Sequence, residues 1–334
     1  MHSLQQRHLS KPEPLELPSI SIVVPNHQGG LTIGQTLQSL LDQNYPNLEI
    51  IVIDGGSTDD SISIIRQFES HLTKWISEPD RGQSHAINKG FACCTGDIVN
   101  WLCSDDLLAP NALHTIGKIF TSDPEIDVLV GRCRIEYLTD ENPGIPLKAS
   151  RFWLNLLQRF MPLGTIVQEP DNDHVFIRST TLEQINLMPA SVPIHQPSCF
   201  YRRRLLNREH PVNEDYHYTM DIELFNYFYA SGVRWQTTDA VLSIAPVSGQ
   251  NKSSLAGIKA TYELEKIYAT YVQERIPLTY WHRHLRYPLE RFLKQNQNTL
   301  WIYLIGPLWV AITLLLAPFY GFKRAWALRW TSWI

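Results

Sequence analysis

Two adjacent acids, Asp105 and Asp106, stand just after the apolar run Ile98–Leu102 (IVNWL). Neighbouring carboxylates repel one another unless a cation or a donor comes between them, and hard oxygen ligands suit Mg2+ or Mn2+ bridging a diphosphate. The plainer reading makes them the solvated start of a helix over Leu107–Phe120, and from spacing alone both stay open. Asp54 poses the same choice. It ends the run Ile50–Ile53 and precedes Gly55-Gly56, so it either caps a turn into a helix over Asp59–Glu69 or accepts hydrogen bonds from a base imide or a ribose hydroxyl.

These acids can act together only if their strands lie side by side. Ile20–Val24, Ile50–Ile53, Ile98–Leu102 and Val128–Val130 read as strands too apolar to have a wet face. Helical spacing marks Ile33–Gln43, Asp59–Glu69, Ser84–Ala92 and Asn111–Phe120 between them. Such alternation predicts a mostly parallel, doubly wound α/β sheet, which binds ligands beyond the carboxyl ends of its strands. At those ends stand Pro25-Asn26-His27-Gln28-Gly29-Gly30, the stretch from Asp54 to Asp60, and Cys103-Ser104-Asp105-Asp106. Neither GxGxxG after the first strand nor GxxxxGK[ST] anywhere is present, which argues against dinucleotide oxidoreductases and P-loop enzymes. From Asp140 to His174 the pattern dissolves around one aromatic helix candidate, Phe152–Phe160. It returns as helices over Tyr216–Tyr229 and Ser254–Gln273, with a linker near Glu274–Pro277.

The chain has 334 residues and a net charge of -4, an average that hides a split. Residues 1–273 carry 21 basic and 31 acidic groups, whereas residues 274–334 carry 8 and 2, for net charges of -10 and +6. The basic end also holds Leu300–Phe322, 23 residues without a charge, 18 of them hydrophobic. About 20 apolar residues span a bilayer, but Pro307 and Pro318 interrupt the run and positive charge flanks both sides. A single span and an in-plane hairpin on anionic headgroups both fit. Nucleic acid is the poorer partner. Residues 1–18 are polar and lack a secretory signal, and the five cysteines have no CxxC spacing, so a cytosolic catalytic part is expected.

Four stretches, taken in order, carry a family resemblance: SIVVPNHQG from Ser21, EIIVIDGGSTDDS from Glu49, EPDRGQSHAINKG from Glu78 and TGDIVNWLCSDD from Thr95. In sequence and spacing they resemble family 2 glycosyltransferases of the GT-A fold, over about Ile20 to Asn251. The resemblance implies inverting transfer of a sugar from a nucleotide diphosphate sugar. It implies that Pro25, Asn26, Asp54 and Ser57 frame base and ribose, that Asp80 and Arg81 lie beside base or sugar, and that Asp105 borders the donor. Asp106 would be the metal ligand, for Mg2+ or Mn2+. Cys103 stands where the family commonly has Asp or Asn, and His85 where it often has Asp. YTMDIEL from Tyr218 resembles the segment supplying the general base, and the resemblance gives that role to Asp221. On a helix, Glu214 would share the face of Asp221 and Glu223 would point away by roughly 200°. IHQPSCFYRRR from Ile194 resembles the acceptor-side segment, with His195 and Gln196 against sugar or acceptor. Lys252, in SGQNKS from Ser248, falls where relatives close a loop over the diphosphate.

The expected layout is therefore a polar extension (1–18), a GT-A domain (19–273) and a membrane-associating tail (274–334) with its apolar run at 300–322. Within the domain, a Rossmann-like nucleotide half (about 19–135) precedes a mixed acceptor half (about 136–273). The expected activity uses a nucleotide sugar, UDP-sugar favoured, and a saccharide or lipid-linked acceptor for envelope or exopolysaccharide synthesis at the cytoplasmic membrane face. A nucleotide-sugar hydrolase, a nucleotidyltransferase and an inactive nucleotide-sugar-binding scaffold are the alternatives.

Overall fold

The computed structural model describes residues 16–137, 166–168, 175–186, 188, 194–247, 252, 258–272, 276, 278–296 and 300–327. Outside them lie the candidate helix Phe152–Phe160, most of the polar extension, most of the 274–277 linker and the loop around Lys252. The first half alternates β1 (Ile20–Asn26), α1 (Ile33–Leu41), β2 (Leu48–Asp54), α2 (Ser61–Phe68), β3 (Lys74–Ser77), α3 (Gln83–Phe91) and β4 (Ile98–Trp101). In the second half come β5 (Leu107–Leu108), α4 (Ala112–Ser122), β6 (Val128–Tyr137), β7 (Ile166–Gln168), β8 (Val175–Arg178), α5 (Leu182–Ile185), β9 (Cys199–Arg202), α6 (Met220–Ala230) and β10 (Trp235–Val247).

Successive strand residues point to opposite faces, and here both faces are covered. Ile20, Ile22 and Val24 of β1 pack with Ile33, Leu37 and Leu40 of α1 and with α4. Val23 packs the other way, among Ala86, Ile87 and Phe91 of α3 and Leu224, Phe225 and Phe228 of α6. That is why the strands read as unbroken apolar runs.

The described strands form one sheet in the order β3-β2-β1-β4-β9-β6-β10-β5, with β8 on β6 and β7 on β8. β3, β2, β1 and β4 are all parallel, as expected. Beyond β4 the expectation of a mostly parallel sheet is corrected. β9 runs antiparallel to both β4 and β6, and β5, β7 and β8 also pair antiparallel. Only β6 and β10 are parallel there, so the sheet is mixed. Chain order reverses about β1, between β2 and β4, which places the crevice beyond Asn26, Asp54 and Trp101.

Among the described residues, five further α-helices follow: α7 (Ile258–Tyr271), α8 (Leu278–Trp281), α9 (Tyr287–Gln295), α10 (Ile305–Tyr320) and α11 (Phe322–Ala327). The uncharged run 300–322 is thus not one continuous helix. A 3-10 turn covers Leu300–Leu304, α10 has 16 residues, and Gly321 at φ 80° separates α10 from α11. Among the described residues, no helix is long and apolar enough to cross a membrane.

Candidate active site

The crevice begins with a hydrogen-bonded floor. Asp54 is fully buried and accepts from Asn26 Nδ2 (2.7 Å), Ser57 Oγ (2.6 Å), Ser57 N (2.9 Å), Gly56 N (3.1 Å) and Ser77 Oγ (2.8 Å). Burial, the largest single influence, pushes its carboxyl up, but these donors together outweigh it and hold the carboxylate below the usual range. With both oxygens occupied, Asp54 ties the ends of β1, β2 and β3 together. Of the two readings open for Asp54, the turn cap is the one seen here, in the bonds it accepts from Gly56 N and Ser57 N. Ser57 Oγ in turn accepts from Gln28 N at 2.8 Å, and the Gln28 amide bonds Thr58 and Asp59 across the two loops. Gln28 sits at φ 56° to do so.

Above this floor, Gly55 marks a close approach: a Cβ there would lie 2.7 Å from Asp80 Oδ2 and 3.3 Å from His27 Cδ2. Asp80 Oδ1 accepts from Gly82 N at 2.7 Å, so this carboxylate is fixed beside the floor and is only half-buried. Pro25 and Asn26 end β1 in the same place. Arg81 turns instead to Glu214, with Nε and Nη2 at 3.1 and 2.7 Å from Oε2. Glu214 precedes α6, which starts at Met220. Its expected sharing of a helical face with Asp221 is corrected accordingly.

Past β4 the chain does not enter a helix. Leu107–Leu108 is a short strand and α4 starts only at Ala112, so the helix-start reading of Asp105-Asp106 falls. Asp106 is instead anchored through its backbone, N to Cys103 O (3.0 Å) and O to Thr36 Oγ1 (2.9 Å). One ligand atom from each of Cys103, Asp105 and Asp106 can be chosen with all three within 4.8 Å of one another. Burial, and then the Asp105 charge, push the Asp106 carboxyl well above its ordinary value. That strain is what a hard divalent cation relieves, so the two carboxylates fit one. Cys103 fits poorly. Burial and the two Asp charges push its thiol well up, leaving it neutral, and Gln83 Nε2 lies 3.1 Å from Sγ.

Gln83 also accepts from Lys252 Nζ at 2.9 Å, which brings residue 252 to the carboxylate loop. Lys252 is half-buried there and its ammonium stands 5.8 Å from the Tyr218 ring centroid. Burial lowers its pKa, while Cys103, Glu263 and Asp221 oppose the shift. Asp221 lies in the first turn of α6. Burial raises its carboxyl to about 6, against the N–H groups of Ile222 and Asp221 and the charges of Lys252 and Arg178. Its charge also contributes to the rise at Cys103. Glu223, as expected from its angle, points away: it is 3% exposed, pairs with Arg208 at 2.9 and 3.0 Å, and accepts from Tyr271 OH at 2.6 Å.

His195 joins the same end. Burial, then the Arg178 charge, push its imidazole down to about 3, so it is neutral at physiological pH. Gln196 does not face the crevice, because its amide donates to Asn100 Oδ1 (2.9 Å) and Trp101 O (2.8 Å). It pins β9 beside β4, and its expected contact with sugar or acceptor is corrected to that structural part.

Glu263 of α7 was missed because nothing in its own helix explains it. Its carboxylate accepts from His217 N (2.9 Å), Tyr218 N (2.8 Å), Thr219 N (2.9 Å) and Thr219 Oγ1 (2.9 Å). Thr219 supplies no cap to α6, so Glu263 caps that N-terminus from another helix and holds the turn carrying Asp221. Glu263→Ala should cost about 1–2 kcal/mol in chemical denaturation and speed amide exchange at 217–219, with Glu263→Gln recovering part of both. Unchanged exchange in the alanine variant would remove this capping role.

The family model for glycosyl transferase family 2 matches residues 21–209. An uncharacterized glycosyltransferase of Nostoc is 32% identical over 113 residues, 33% of this chain and 35% of that protein. Poly-beta-1,6-N-acetyl-D-glucosamine synthase of Staphylococcus epidermidis is 30% identical over 129 residues, 38% of this chain and 31% of the synthase. The chain thus matches only about a third of either relative's length. Among solved structures, S. aureus TarS 1-349 with UDP-GlcNAc superposes with a TM-score of 0.53 at 16% identity, covering 94% of this chain and 91% of that one. The mannosyltransferase PcManGT of Pyrobaculum calidifontis, with GDP-Man and Mn2+, gives 0.53 at 18% identity, covering 98% and 90%. At such identities these two support the fold.

Proposed function

This chain belongs to glycosyl transferase family 2, and from that premise we propose that it moves a sugar from a nucleoside diphosphate donor, UDP-sugar favoured, to a hydroxyl of a saccharide or lipid-linked acceptor, with inversion, in cell-envelope or exopolysaccharide synthesis. The observation that carries the reading is the reach of Lys252 through Gln83 to the loop of Cys103, Asp105 and Asp106, with the charge of Asp221 felt at both Lys252 and Cys103.

Asp221 takes the proton of the acceptor hydroxyl as that oxygen bonds the anomeric carbon, while the bond to the diphosphate breaks and its electron pair leaves with the phosphate. Lys252, held by Gln83, offsets charge on the departing group. A divalent cation on Asp105 and Asp106 would supply further charge stabilisation there. Pro25, Asn26, Ser57 and Asp80 bound the base and ribose, over the floor fixed by Asp54. Neutral His195 flanks sugar or acceptor, while Arg81 stays in its pair with Glu214. In the same reading, the basic, apolar residues 274–334 bring the domain to the cytoplasmic face of a membrane. The names of relatives that make N-acetylglucosamine polymer or bind UDP-GlcNAc support the donor class.

The test is nucleoside diphosphate release from a panel of UDP- and GDP-sugars, with and without Mn2+ and acceptor oligosaccharides. Acceptor-dependent release from one donor is expected. Equal release without acceptor would make the protein a hydrolase, and donor binding without any turnover would make it a scaffold.

A further inference from the structure

Helix α10 has two apolar faces. On one, Trp309, Ile312, Thr313 and Leu316 are 2–5% exposed. Ile312 and Leu316 there join a small core with Leu278 and Ala325, against which Trp281 and Leu285 pack. The buried Arg286 guanidinium lies 5.6 Å from the Trp309 ring centroid, and Trp281 Nε1 bonds Tyr320 OH at 2.9 Å. Taking Trp309 as zero, Leu314 and Leu315 lie about 140° and 240° around the helix, on a second face whose edge, at about 280°, is Phe319. Leu314 is 60% exposed, Leu315 58% and Phe319 80%. Trp301 before it and Phe322 after it are also exposed.

From these faces we infer that α10 lies in the plane of an anionic lipid bilayer, with Leu314, Leu315 and Phe319 inserted among the acyl chains. This deepens the membrane part of the proposed function and rests on it. Geometry decides against a span. Sixteen residues rise about 24 Å, short of the roughly 30 Å hydrocarbon core. Crossing would also strip Trp309, Ile312 and Leu316 from their protein partners. Charge decides the occupant. Of the 8 basic groups of residues 274–334, Arg286 is buried and Lys323 pairs with Glu183, but the other six still outnumber the 2 acidic ones, which complements anionic headgroups and opposes docking against a second copy of the same positive tail. Lys323, next after the stripe, pairs with Glu183 of α5 and ties the inserted helix to the catalytic body.

The test is flotation of the full chain with vesicles of phosphatidylcholine alone or with about one-third phosphatidylglycerol. Wild type should float with the anionic vesicles, lose most of that binding in 1 M NaCl as screening grows, and leave the vesicles in alkaline carbonate. Leu315→Glu/Phe319→Glu, on exposed positions outside the site, should reduce the floated fraction at least about tenfold while donor-induced thermal shifts stay as in wild type. Three outcomes overturn the inference: undiminished flotation of the variant, carbonate-resistant insertion of wild type, or a solution dimer that the double substitution splits. Turnover of a soluble acceptor is read separately, so failure here is distinguishable from failure of the transfer reaction.

Discussion

Asp221→Asn will bind nucleotide sugar as wild type does but lose acceptor-dependent turnover by roughly two to four orders of magnitude. The substitution keeps size and one acceptor oxygen for the N–H groups of Ile222 and Asp221 that the carboxylate faces, so the first turn of α6 survives. What disappears is the ability to take a proton. The direction of the shift then sets a pH profile. Because burial raises the carboxyl to about 6, the basic form is lost as pH falls through that value. Wild-type kcat/KM should sit on a plateau above about pH 7 and fall to about a tenth of it near pH 5. Lys252 lowers the same pKa by its charge, so Lys252→Gln should move the limb to higher pH as well as slow turnover. Initial rates of diphosphate release across pH 5–8 measure all three. A wild-type profile without the limb, or an active Asp221→Asn, would return the base to another residue.

Much of the nucleotide half was legible because buried parallel strands must be apolar on both faces. Ile20–Val24 and Ile50–Ile53 lie inside β1 and β2. β3 escaped notice as a four-residue edge strand with exposed ends. β10 escaped because register shifts between Thr237 and Val241 and between Val241 and Ser243 break the alternation that marks a strand. At the site, the resemblance pointed to Asp105, Asp106, Asp221 and Lys252, and Lys252 does reach the carboxylate loop through Gln83. The saturation of Asp54 was not legible, since its donors come from residues 26, 56, 57 and 77. Gln83, Arg178 and Glu263 were silent for the same reason, being polar residues on elements whose partners lie far along the chain. The uncharged run 300–322 misled in its own way, because a segment apolar all round hides which stripe faces protein.

Asp106→Ala should weaken Mn2+-supported donor binding by more than about 100-fold, beyond what the loss of a ligand's outer neighbour usually costs. Its backbone bonds to Cys103 and Thr36 do not involve the side chain, so the loop keeps its course and the loss reports the carboxylate. Without metal, the variant should be no less stable than wild type, since the removed group is one whose charge burial and Asp105 both disfavour. Cys103→Ser supplies the contrast. A thiol pushed well above its ordinary pKa is a neutral, soft atom with little to offer Mg2+ or Mn2+, and serine can still accept from Gln83. Donor affinity should therefore change by less than about threefold, roughly 0.7 kcal/mol. Titration calorimetry with UDP at fixed Mn2+ separates the two variants. Equal losses in both would make Cys103 a third ligand, and no loss in either would move the cation away from this loop.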